Sequence, residues 1–96
     1  MEANRALGRC YAKLGRIEEA ETAFKAAIAE AMRVGRTFHA VLARCDYIQH
    51  VLDGAGRRDE QLAPLGQAIK ALVLEPSEYN GVLAGYGLDA SSLVAI

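Results

Sequence analysis

The residues of this 96-residue chain that could carry chemistry gather in the stretch from Cys45 to Asp53. His50 follows Asp46 by one helical turn and precedes Asp53 by another, so in a helix the three share a face. An aspartate beside an imidazole can orient it for base work. Nothing in the spacing supplies a serine, cysteine or second carboxylate for that base to serve. The pattern therefore reads as a solvated polar face with local ion pairing. His39 lies on the same face, but the helix between it and His50 spans roughly 16 Å, too far for one metal ion. No Cys/His cluster has zinc-ligand spacing. The run "DGAGRR", Asp53 to Arg58, contains a G-x-G, yet no strand precedes it and no third glycine completes a phosphate cradle, so it reads as a turn. The expectation is a chain that is not an enzyme and takes neither metal nor cofactor.

The elements that would position these residues are helices. Ala3, Leu7, Cys10, Tyr11 and Leu14 follow helical spacing from Glu2 to Leu14, with Arg5, Arg9 and Lys13 on the other side. Gly15 stands where a C-terminal cap is expected. A second helix is predicted from Ile17 to Val34, with Ala20, Ala23, Phe24, Ala27, Ile28, Ala31 and Met32 as its stripe. Glu18, Glu19 and Glu21 suit the positive end of its dipole, and Glu21 with Lys25 makes an i, i+4 pair. A third helix is predicted from Thr37, its N-cap, to Asp53. Its core stripe is Phe38, Val41, Leu42, Cys45, Ile48 and Leu52. Asp59 is read as the cap of a fourth helix running to Leu74, which buries Leu62, Leu65, Ile69, Leu72 and Val73. Pro76 stops that run. A short helix capped by Ser77 and a last turn capped by Asp89 complete the chain.

Composition fits helices packed on helices. Over half the residues are apolar, led by alanine and leucine, and the formal net charge is −1. Alanine favours helix and lets backbones approach. Near-neutral charge argues against nucleic acid or an anionic membrane surface as partner. No apolar run approaches the roughly 18 residues of a membrane span, and the N-terminus has no signal-peptide core. The sequence predicts a soluble, cytoplasmic chain. Its two cysteines, Cys10 and Cys45, fall on apolar faces and are expected to be reduced and buried.

The motif with the most information is Leu7, Gly8, Tyr11, Ala20, Phe24 and Ala27. Helices joined by a tight turn can cross closely where Gly8 meets Ala20, with Tyr11 and Phe24 filling the space beside that contact. Leu7 and Ala27 would face a neighbouring pair. This pattern resembles the tetratricopeptide repeat, in which W-x2-L-G-x2-Y precedes A-x3-F and a later A and P. The match covers residues 4 to 32. Asn4 stands where the family prefers tryptophan, and Met32 where it prefers proline. Aligning Gly15-Arg16 with Gly56-Arg57 makes residues 37–74 a degenerate second repeat whose first helix carries an extra turn.

The resemblance implies an all-α fold. It would be a right-handed helical-repeat array of two antiparallel hairpins (1–35 and 36–75) with short C-terminal capping helices (76–96), in a single domain over 1–96. Such arrays need about three units to be stable, so the chain is expected to be part of a longer array or to be covered by a partner. The family's concave groove holds peptides. By resemblance, Arg5 and Arg9 face that groove, with Lys13 beside them and Arg44 and Tyr47 as counterparts on the third helix. These cations would pair with an acidic segment or chain terminus of another protein. The asparagines of the family's carboxylate clamp are absent. The expected function is a non-enzymatic protein–protein interaction scaffold. The alternative is a structural module whose exposed hairpin ends dock onto further repeats or another copy as a homo-oligomer.

Overall fold

The computed structural model describes residues 2–71 and 76–88, and every regular element among them is helical. In order they are α1 (Glu2–Lys13), α2 (Ile17–Arg33), α3 (Thr37–Tyr47), a π-helical segment (Ile48–Leu52), the single turn α4 (Asp53–Ala55), α5 (Asp59–Lys70) and α6 (Pro76–Gly85). Leu72, Val73, Leu74 and the Asp89 cap lie outside the described residues, as does the side chain of Ser77.

The turns close by one repeated device. Gly15 takes φ of 75°, and the bonds Arg16 N–H to Tyr11 O (2.9 Å) and Gly15 N–H to Ala12 O (3.1 Å) satisfy the last carbonyls of α1. Gly35 and Gly56 end α2 and α4 in the same way, so each chain reversal rests on a residue with no Cβ to strain. The helix starts differ from expectation. Thr37 and Asp59 are first helical residues, the N-cap positions are Arg36 and Arg58, and neither of those side chains makes a cap bond.

α2 packs against α1 on one side and α3 on the other, and α3 also packs against α5 and α1. Ala20, Ala23, Phe24, Ala27, Ile28 and Ala31 bury the predicted face of α2, whereas Met32 is 60% exposed. Helix α3 is central, so the side opposite its predicted core stripe is mostly buried as well. Ala40, Tyr47 and Val51 join Val41, Cys45, Ile48 and Leu52 in the interior, with Leu65, Ile69, Leu83 and Leu88 closing the core.

The orientation of α1 is the main departure from the periodicity. Its inward face is Arg5, Gly8, Arg9 and Ala12, while Ala3, Leu7 (44% exposed), Cys10 and Leu14 (71% exposed) point outward. Cys10 is thus exposed and only Cys45 is buried. The reason lies at Gly8. A Cβ there would meet the Phe24 ring at 2.8 Å, so the bare backbone of α1 is pressed onto that ring. Phe24, rather than Ala20, is what requires glycine at this crossing.

Candidate functional site

The residues expected to line a groove divide into those turned inward and those left open. Arg5 and Arg9 converge on Asp46 of α3, with Arg5 Nε 3.1 Å and Arg9 Nη1 3.3 Å from Oδ2. The hydroxyl of Tyr86, just after α6, donates to Oδ1 of the same carboxylate at 2.8 Å. Asp46 is 1% exposed, so this member of the expected solvated polar face is instead part of a buried ionic node joining α1, α3 and the C-terminal segment, while Asp53 stays exposed and locally ion-paired. Such a charge is tolerated inside only because it is paired and hydrogen-bonded on both oxygens. Burial, and then the bond to Asp46, push the Tyr86 hydroxyl pKa above its ordinary value.

His50 does not complete a relay. Its Nε2 stands 3.9 Å from Asp46 Oδ1, beyond hydrogen-bond range, and its ring stacks on Phe24 with centroids 6.2 Å apart. Asp53 leaves the shared face altogether and pairs with Arg58 at 2.8 Å. The intervening π segment accounts for this. Its i→i+5 bonding fits an extra residue into the turn and rotates everything after it away from the Asp46 line. Among the described residues no group of His, Cys, Asp and Glu is arranged to hold a metal ion.

Tyr47 is 1% exposed and donates its hydroxyl to Glu21 of α2, which also accepts from Arg57 at 2.9 Å and lies 3.4 Å from Lys25. The bonds from Tyr47 and then Arg57 hold the Glu21 carboxyl down to about 2. Arg57 continues the chain of contacts to Glu60 at 2.6 Å, which ties α5 to the first hairpin. Tyr47 is therefore a structural bridge between helices and lines no open groove. Lys13 is exposed at the end of α1.

Of the expected set, Arg44 lines a concave surface. It sits in an open cleft of about 340 Å³ walled by Met32 and Gly35 at the end of α2, Thr37 and Ala40 of α3, and Pro64, Gln67, Ala68 and Ala71 of the α5 region. A second cleft, of about 300 Å³, runs along the outer side of α1 and α2 between Leu7, Tyr11, Thr22, Ala23 and Ala26. Neither cleft was legible in the helical periodicity, because each needs two helices brought side by side. The run of outward apolar residues on α1 was visible, but its direction was not.

No helix among the described residues is long and apolar enough to cross a membrane. Comparison with protein-family models, curated proteins and solved structures finds no match to this chain.

Proposed function

We propose that this chain is a non-enzymatic, cytoplasmic interaction scaffold of tetratricopeptide type, which receives a segment of another protein against its helical faces. The observation that carries the reading is the mostly apolar, open cleft between α3 and α5. A concave surface of this size with few polar groups is the usual form of a recognition site. The chemistry-bearing residues support the same reading, because Asp46, Arg5, Arg9, Glu21 and Tyr47 are engaged in holding helices together. The test is to pan a display library of random peptides on the immobilised chain and to measure binders by fluorescence anisotropy. Ala68→Glu, which places a charge in the cleft, is expected to weaken them about tenfold or more. A chain of intact helicity that enriches no peptide overturns the proposal.

A specific observation favours self-association as a second reading. The outward stripe of α1 continues from Leu7 to the exposed Leu14 and Ile17 at the hairpin end. Such an exposed apolar flank suits a packed helix pair from another copy or a further repeat. Sedimentation velocity over a concentration series separates the two readings, and an unchanging monomer removes the second.

A further inference from the structure

The Arg44 cleft carries a charge that no carboxylate of the described residues meets. A guanidinium has five N–H donors and stays protonated in proteins. Arg44 Nη1 donates to Gln61 Oε1 at 2.5 Å and Nη2 approaches the Met32 sulfur at 3.3 Å, and both acceptors are neutral. Its Nε is buried without an acceptor. No carboxylate among the described residues pairs with it, in contrast to Arg5, Arg9, Arg57 and Arg58. Burial lowers its pKa below the ordinary arginine value. The charged head thus stands at the wall of an apolar cleft, partly stripped of water and without a counter-ion among the described residues. Thr37 and Gln67 add the cleft's other polar side chains.

We infer that the cleft binds a partner segment through a side-chain carboxylate, an aspartate or glutamate carried among apolar residues, which pairs with Arg44. This rests on the interaction-scaffold reading and adds the chemistry of the partner. The apolar flanks of the segment cover Ala68, Ala71 and Met32, and the carboxylate satisfies the guanidinium. Such pairs bind most strongly where water is excluded, because a charge-assisted bond is about twice as strong as a neutral one. A basic or purely apolar segment would leave the Arg44 charge buried and uncompensated, which selects against it.

Two peptide display libraries test this, one containing Asp and Glu and a matched one with Asn and Gln in their place. The acidic library is expected to enrich binders whose affinity falls about tenfold or more with Arg44→Gln, while Arg44→Lys retains part of it. Arg36→Gln, which removes an exposed neighbouring cation, is expected to leave affinity unchanged. The Arg44 Nε–H resonance of the wild-type chain should shift on adding an acidic binder, a readout independent of whether any variant folds. Equal enrichment from both libraries, or an unmoved Arg44 resonance, overturns the carboxylate assignment and leaves the scaffold reading standing. Enrichment from neither library overturns both.

Discussion

The ring of Phe24 occupies the place where a side chain on Gly8 would stand, with three ring carbons 2.8 to 2.9 Å from a Cβ built there. Phe24 is fully buried, so the ring cannot swing away. Gly8→Ala gains about 1 kcal/mol in helix propensity, but overpacking costs about 1–3 kcal/mol. The net expectation is a lower thermal midpoint. Adding Phe24→Leu to Gly8→Ala should recover part of the loss, because the shorter side chain clears the new methyl. Denaturant titration of the single and double variants checks this, and a Gly8→Ala chain more stable than wild type would contradict the close approach.

Replacing Asp46 tests the ionic node. Asp46→Asn keeps the volume and leaves Arg5 and Arg9 without their shared counter-charge, which is expected to destabilise by roughly 3 kcal/mol. Tyr86→Phe removes one hydrogen bond to the same carboxylate and should cost about 1 kcal/mol. The ordering is the informative part. Urea unfolding that shows Tyr86→Phe as the more damaging change would place the weight of the node elsewhere.

Acid should loosen the α2–α3 contact through Glu21. Its carboxyl titrates at about 2 in the folded chain against an ordinary 4.5. A depressed folded pKa contributes stability that is fully present above the ordinary value and is lost as pH falls toward the folded one. Stability measured by urea unfolding should therefore decline between about pH 5 and pH 2, and Glu21→Gln should flatten that decline. At neutral pH the same substitution is expected to cost about 1–2 kcal/mol, since Glu21 remains partly open to solvent.

Thiol reactivity should separate the two cysteines. Cys10 is exposed on the outward face of α1, whereas Cys45 is buried, with its pKa pushed up to about 12 by burial and by the charge of Asp46. A thiol reagent at neutral pH is expected to label Cys10 rapidly and Cys45 only as the chain opens. Cys10→Ser should abolish the fast phase and leave the slow one. Equal rates would mean that α1 does not hold its place over the core.

Surface changes on α1 should alter association and spare the fold. Leu7 is 44% exposed, so Leu7→Asp is expected to shift stability by about 0.5 kcal/mol or less. If copies dock through this stripe, the same variant remains monomeric at concentrations where the wild type associates. Light scattering behind a sizing column reads both species.

The sequence alone determined the all-helical character of the chain and the glycine turns after α1, α2 and α4, whereas the predicted end of the third helix at Asp53 gave way to the π segment. Alanine-rich i, i+3, i+4 spacing marks α2, and Gly15, Gly35 and Gly56 mark chain reversals through a local backbone preference that needs no tertiary partner. The Glu21–Lys25 pair was legible for the same reason, since both residues lie on one helix. Which side of α1 faces inward was decided only in three dimensions. Its apolar stripe suggested one face, but the opposite face brings Gly8 onto Phe24 and two arginines onto Asp46. Close backbone approach and a shared buried counter-charge depend on residues from other helices, and periodicity within α1 carries no record of them. The π segment at Ile48 to Leu52 likewise has no signal in the periodicity, and it precedes Asp53, which pairs with Arg58 rather than joining the Asp46 face. The clefts belong to the same class, because a concavity is a property of neighbouring helices and of no single one.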